Sequence, residues 1–267
     1  MPTPYPAETL LIEGTDAVAF AQAQFSSKVT SLATGQWQFS AWLDPQGRVR
    51  ALFHLARLAD DRLLLLLRGG SAAAMVDALQ RFVFRSKLSL TALPSRALAT
   101  APARLMHAIA GDVDTWLFGC GTYSMRSTTA DLGDDAWHLL QLREGWPWLP
   151  EQTLGELLPP ALSLHRLQAV AVDKGCYPGQ EIVARLHYRG GNKRHLHHVI
   201  LSQATGAGDS LRSDAHEVGR ALDVVDTRAG IEALIVLNDD VAAKASHGRL
   251  NGLDDHPDIH FINTWSA

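Results

Sequence analysis

In the first third of the chain, segments with the apolar spacing of strands are interspersed with segments that have the spacing of helices. This order predicts an α+β layer of strands with helices on one face. Apolar residues recur at helical spacing after Thr15 or Asp16 and again after Ser71, and these polar residues can cap the helices that follow. Residues 44–47, Asp-Pro-Gln-Gly, have the composition of a type I turn and predict a hairpin. The predicted helices are 16–26 and 72–82, and the predicted strands are 36–43, 49–58, 63–67 and 88–93.

Later segments are less regular. Residues 94–135 have weak periodicity and give no clear elements. Short segments punctuated by glycine follow Leu196, and this pattern is typical of a small barrel. We therefore expect an α+β domain with two subdomains at residues 1–193 and a C-terminal β-barrel at 194–267. The further predicted elements are a strand at 137–142, helices at 162–170 and 180–188, and strands at 197–202, 217–225 and 231–237.

Residues 174–185, KGCYPGQEIVAR, concentrate unusual residue types around a cysteine. Gly175 and Gly179 permit tight turns or the close approach of a ligand. Cys176 precedes the predicted helix, and both the positive end of the helix dipole and Lys174 favour a thiolate there. The run predicts a reactive, exposed thiol, although a lone cysteine is more often a small buried apolar residue.

This run and the following HYRGGNKR strongly resemble the signature of the YgfZ-type folate-binding proteins, which are relatives of aminomethyltransferase, the T-protein of the glycine cleavage system. Weaker resemblance extends over residues 11–17, 43–49, 84–88 and 237–240. It implies an aminomethyltransferase-like folate-binding domain, closed by a C-terminal β-barrel, with tetrahydrofolate or a derivative as the ligand. Cys176 would be the functional thiol, with Lys174 beside it. The residues expected to contact folate are Gly175, Tyr177, Gly179, Gln180, Glu181 and Arg185.

Two stretches of the chain depart from the pattern of these families. Aminomethyltransferases carry an acidic pair on the strand after the glycine turn, where this chain has Ala51 and Leu52. A general base needs a titratable group, so we expect aminomethyl transfer to be lost. Ser163 stands in a region where YgfZ-type proteins tend to have Asn, and its hydroxyl could contact the pterin instead.

The resemblance implies an accessory protein that supports the assembly or repair of iron–sulfur clusters in enzymes, including those that modify tRNA. Its partners would be folate and these client enzymes. The alternative is a folate-dependent one-carbon transferase, which the missing acidic pair disfavours. Direct binding of nucleic acid is not expected, because 24 basic and 28 acidic residues give a net charge of −4.

Composition and further motifs add expectations about location and metals. Cys120 and Cys176 make no disulfide framework and suit a reducing compartment. Residues 1–6 lack the basic and apolar regions of a signal peptide, and no apolar run could span a bilayer, so we expect a cytoplasmic protein without membrane contact. The histidines at 195, 197 and 198 have no third ligand at a recognisable spacing, which predicts a half-exposed strand and no metal site. Cys120 is expected in a turn, buried or half-buried.

Overall fold

The computed structural model describes residues 6–112, 114–128, 134–228, 230–251, 253–254 and 258–265. The first sheet has helices on one face. Its strands are β1 (Thr9–Glu13), β2 (Gln36–Leu43), β3 (Val49–Ala59), β4 (Arg62–Leu67) and β5 (Ser89–Ala92), and its helices are α1 (Ala17–Gln24) and α2 (Ala72–Gln80). The order is β2-β3-β4-β1-β5, and all pairs are antiparallel. The elements predicted in this region are confirmed to within a few residues.

Local hydrogen bonds explain where these elements begin and turn. Ser71 caps α2 as predicted, because its hydroxyl accepts from the N–H of Ala74. The N–H of Gly47 donates to the carbonyl of Asp44, as expected for the turn between β2 and β3. Asp16 precedes α1 but does not cap it, since its carboxylate accepts from the N–H of Lys87.

The second sheet lies in the region whose weak periodicity predicted no clear elements. Its strands are β6 (Ala97–Ala101), β7 (Ile109–Asp112), β8 (Thr115–Gly119) and β9 (Ser124–Thr128), in the order β6-β9-β8-β7. The helix α3 (Ala136–Arg143) comes later, so the predicted strand at 137–142 is wrong. The buried residues Trp137, His138, Gln141 and Leu142 follow a helical spacing rather than strict alternation.

A segment of turns leads from α3 to the motif. A 3-10 helix spans Pro159–Leu162, and Ser163 and Gln168 then adopt left-handed φ values of 52° and 53°. An α-helix cannot continue through such residues, so the predicted helix at 162–170 is wrong. The helix α4 (Gln180–Arg189) confirms the one predicted at 180–188.

The last third forms a six-stranded antiparallel sheet. Its elements are β10 (Arg194–Leu201), β11 (Ser210–Ser213), β12 (His216–Thr227), β13 (Gly230–Asn238), the short helix α5 (Asp239–Ala242), β14 (Arg249–Leu250) and β15 (Ile259–Trp265). The order is β11-β12-β13-β10-β15-β14. A closed barrel and the domain limits stay predictions. The half-exposed strand predicted around His197 is wrong, because β10 is a central strand, buried at most positions.

Two cores lie on opposite faces of the first sheet. The helix-side core packs α1 and α2 on the sheet through residues such as Phe20, Phe53 and Leu79. The central core joins the opposite face to the second sheet, α3, the motif and the last sheet. Its members include Phe39, Phe118, Trp137, Val183 and Leu234. Within the described residues, no helix has the length and apolar character needed to cross a membrane.

Candidate functional site

Lys174 fixes the motif loop to the first sheet. Its buried ammonium donates to the carbonyls of Phe25, at 2.6 Å, and Ser27, at 2.7 Å, and lies 5.0 Å from the centre of the Tyr177 ring. Burial lowers the pKa of Lys174 to about 8. These bonds direct the ammonium to main-chain carbonyls, so its action on a Cys176 thiolate stays a prediction.

Gly179 lets the motif helix begin against the turn between β2 and β3. It precedes α4 with a φ of 77°. A Cβ atom there would lie 2.6 Å from the carbonyl oxygen of Asp44 and 2.7 Å from the Cα of Gly47, closer than packed atoms allow. Gly175 differs, because a Cβ atom there would have no neighbour within 4 Å.

The remaining motif residues divide into side chains that support the loop and exposed groups. The Tyr177 hydroxyl donates to the carbonyl of Ala171 at 2.9 Å, and the Gln180 amide donates to the carbonyl of Lys174 at 3.1 Å. Cys176, Glu181 and Arg185 are exposed. The motif therefore has a supported backbone and presents a thiol and charged groups to solvent.

The second cysteine has a different environment. Cys120 is buried, and its thiol approaches the carbonyl of Phe118 at 3.4 Å. Burial raises the pKa of Cys120 to about 11. A thiol with these properties is poorly reactive at neutral pH.

A cavity of about 580 Å³ lies where the chain enters the motif. One wall is the segment of turns that ends at Asp173, and others come from β2, α4 and the loops before β7 and after α3. No residue from Lys174 to Arg185 lines it, so the predicted folate contacts adjoin this cavity without forming its wall. The lining consists of Lys28, Ser31, Gln38, Phe39, Met106, His107, Trp146, His165, Arg166, Leu167, Gln168, Val170, Ala171, Val172, Asp173 and His187.

Three histidines, His107, His165 and His187, line this cavity. The rings of His165 and His187 are 5.0 Å apart. Burial lowers the pKa of His107, and burial followed by proximity to His187 lowers that of His165. The sequence analysis missed all three, although His165 and His187 stand on either side of the motif.

Aromatic and charged groups complete the lining. Trp146 packs edge-on against Phe39 with centroids 5.1 Å apart. Lys28 forms an exposed ion pair of 2.5 Å with Asp173, and this ion pair lowers the pKa of the aspartate. Aromatic walls, neutral amides and a nearby cation can accommodate a flat heterocycle with a carboxylate tail.

Buried hydrogen bonds hold the loop that carries Trp146. The guanidinium of Arg68, fully buried after β4, donates to the carbonyls of Pro147, at 2.9 Å, and Trp146, at 2.6 Å, and to the Gln141 side chain at 2.6 Å. Nearby, burial and then the charge of Arg68 lower the pKa of His54 well below its ordinary value.

The last strand packs behind the cavity wall. Arg166 donates to the carbonyl of Gly145 at 2.6 Å, and its guanidinium lies 5.1 Å from the centre of the Trp265 ring. Ser163 is buried and donates to the carbonyl of Trp265 at 3.1 Å. The suggested contact between Ser163 and a pterin is therefore not supported.

Other candidates from the sequence have structural partners. His195 bonds to Asp239 at 2.5 Å, and His198 bonds to Glu232 at 3.0 Å. Within the described residues, no group of three or more His, Cys, Asp or Glu side chains could hold a metal ion. Ala51 and Leu52, at the positions of the acidic pair, are both buried.

The fold is that of the aminomethyltransferases. The glycine cleavage system aminomethyltransferase T from Bartonella henselae matches 97% of this chain and 84% of its own, with a TM-score of 0.66 and 17% sequence identity. At this identity, the likeness shows a shared fold. No protein-family model matches the chain.

Sequence relatives confirm the resemblance to YgfZ. Two are named tRNA-modifying protein YgfZ: one from Edwardsiella ictaluri, 28% identical over 69% of this chain and 66% of its own, and one from Vibrio vulnificus, 27% identical over 91% and 80%. A protein of Haemophilus influenzae described as uncharacterized is 26% identical over 90% of this chain and 89% of its own.

Proposed function

We propose that this chain is a YgfZ-type protein that binds tetrahydrofolate, or a derivative of it, in the cavity beside the motif. The cavity itself carries the proposal: its volume of about 580 Å³ suits a small molecule, and the aromatic rings of Trp146 and Phe39 and the histidine side chains suit a pterin. Lys28 lines the cavity, and Arg185 is exposed on the motif helix; these are the cations that we propose pair with the glutamate carboxylates of a folate. Bound tetrahydrofolate would supply a carrier of one-carbon units.

The neighbouring thiol gives the proposed cellular role. Cys176 is exposed on the same loop that Lys174 anchors, and the YgfZ relatives are named for tRNA modification. We propose that the protein supports iron–sulfur enzymes, including tRNA-modifying ones, in the cytoplasm, with Cys176 as the functional thiol. A folate-dependent one-carbon transferase is the alternative, and the apolar residues Ala51 and Leu52 count against it.

Calorimetry with tetrahydrofolate tests whether the chain binds this ligand. Two tryptophans of one loop provide a test variant and its matched control. Trp146 lines the cavity, whereas Trp148 does not. We expect a Kd of about micromolar magnitude for the intact chain. Trp146→Leu should weaken binding, and Trp148→Leu should retain it. The ligand assignment fails if tetrahydrofolate gives neither heat nor a thermal shift at millimolar concentration.

Complementation tests the cellular role independently. In a strain that lacks the protein and shows a defect in an iron–sulfur enzyme, the intact chain should restore activity and Cys176→Ala should not. Cys120→Ala is the control for loss of a thiol. Full rescue by Cys176→Ala contradicts the role of the thiol while leaving the folate site to be judged by calorimetry.

A further inference from the structure

An exposed turn after α2 carries alternating cationic and aromatic side chains. Its sequence, residues 81–87, is Arg-Phe-Val-Phe-Arg-Ser-Lys. Phe84 is 79% exposed and Phe82 is 38% exposed, an unusual surface position for large apolar rings. Because these rings add little to either core, burial does not explain them.

The cationic side chains of this turn have no acidic partner among the described residues. Arg81, Arg85 and Lys87 are exposed, and none forms an ion pair with a described carboxylate. The guanidinium of Arg81 lies 4.8 Å from the centre of the Phe82 ring, and that of Arg85 lies 5.1 Å from the centre of the Phe84 ring. Positive charge and aromatic surface are thus presented together.

Hydrogen bonds hold the backbone of the turn in place. The N–H of Phe82 donates to the carbonyl of Leu79, and the N–H of Ser86 donates to that of Val83. The N–H of Lys87 donates to the Asp16 carboxylate at 2.7 Å, which ties the end of the turn to the start of α1. Arg85 has a φ of 67°, in the left-handed region that residues other than glycine rarely adopt. Strain of this kind is concentrated at functional positions.

The turn is separate from the proposed folate site. It follows α2, which packs in the helix-side core, whereas the cavity beside the motif adjoins the central core on the opposite face of the first sheet. Binding at one site can therefore be tested without the other.

We propose that the turn at residues 81–87 binds single-stranded nucleic acid. The three cations would contact successive phosphates, and unstacked bases would lie on the free faces of Phe84 and Phe82. The net charge of −4 argues against a generally basic surface, but it does not exclude a local one. A membrane is the poorer match, because anchoring on a bilayer needs a larger apolar face than these rings provide.

Fluorescence polarisation of the full chain with labelled oligouridine and oligothymidine tests the proposal. Both oligomers should bind, because phosphates and base faces are common to RNA and DNA. The logarithm of the affinity should fall with the logarithm of salt concentration with a slope of about −2, since each of three phosphate contacts contributes about −0.7. Tetrahydrofolate should not compete.

Substitutions separate stacking from charge. Phe84→Ala should lower affinity about tenfold with an unchanged melting temperature. Arg85→Asn removes a charge and suits a left-handed backbone, so it should reduce the salt slope by about 0.7 without loss of stability. Arg104 and Leu105 are a matched control, an exposed cation beside an exposed apolar side chain elsewhere. Arg104→Gln combined with Leu105→Ala should leave binding unchanged.

Three results would overturn the proposal. One is the absence of binding to either oligomer at low salt. Another is binding that Phe84→Ala leaves unchanged or that the control pair weakens equally. The third is Phe84-dependent binding to phosphatidylserine vesicles without binding to the oligomers, which would make the turn a membrane contact.

Discussion

The two faces of the first sheet are covered by different kinds of partner. The helix-side core is built from the first 92 residues, in which α1 and α2 fold back on strands close to them in the chain. The central core covers the opposite face with the second sheet, α3, the motif and strands near the end of the chain. The buried Arg68 and His54 and the cavity beside the motif all belong to this second face. A face closed by local partners is suited to stability, whereas a face assembled from distant segments can enclose a site.

Replacing Phe53 or Phe39, which lie on opposite faces of the first sheet, should give the largest losses of stability. Both side chains are buried, Phe53 in the helix-side core and Phe39 in the central core. Each change to Ala should lower the free energy of unfolding by about 3–5 kcal/mol, because it leaves a cavity. Phe39→Ala alone should also weaken tetrahydrofolate binding, as measured by calorimetry on folded protein at low temperature. Equal loss of binding in both variants would abolish the distinction between the faces.

Lys174, in the motif that packs on the second face, should make the free energy of unfolding depend on pH. Its folded pKa is about 8, below the ordinary value of 10.5, so the unfolded chain binds more protons between these values. The free energy of unfolding should therefore rise with pH above about 8, by up to about 3 kcal/mol in total. Urea unfolding at several pH values measures this rise. In Lys174→Met this rise in the free energy of unfolding should vanish. An identical pH profile in the variant and the intact protein would show that Lys174 does not cause the rise.

Gly179 and Gly175 compare a constrained and an open position within the motif. Gly179→Ala should cost about 2 kcal/mol, since it places a methyl group against Asp44 and Gly47 in a left-handed conformation. Gly175→Ala should change stability by less than about 0.5 kcal/mol. Thermal unfolding of the two variants measures the difference. Similar melting temperatures would show that the motif helix does not depend on contact with the turn between β2 and β3.

The smallest effect on stability is expected at Cys176. Because its side chain is exposed, Cys176→Ala should shift the free energy of unfolding by less than about 0.5 kcal/mol. The thiol should nevertheless react first with iodoacetamide, while Cys120, buried and with its pKa raised to about 11, reacts after unfolding. Mass spectrometry of peptides after timed alkylation measures the order. Faster labelling of Cys120 would contradict the assignment of the two thiols.

The parts that the sequence predicted are those fixed by local interactions. The Ser71 cap, the turn at residues 44–47 and the motif helix depend on residue types within a few positions of one another. The aminomethyltransferase fold followed from the resemblance that the motif carries, and the structural likeness confirms it.

The parts that were missed depend on distant contacts. The strands of the second sheet are short, and β6 is completed by β9 across an intervening hairpin. The helix α3 was mistaken for a strand because a short apolar run fits both periods. The histidines of the cavity come from three separate segments, and nothing in their local sequence shows that they meet.

The contact between Trp265 and Arg166 sets an order for assembly during synthesis. Trp265 pairs with Leu196 at the end of β15, and its ring fills the space above Gly145. A chain emerging from the ribosome can form the helix-side core long before this residue exists. The contact with Arg166, which supports this wall of the cavity from behind, can form only once Trp265 has left the exit tunnel. The nascent protein is therefore expected to have a folded helix-side core before the support behind this wall of the cavity is in place.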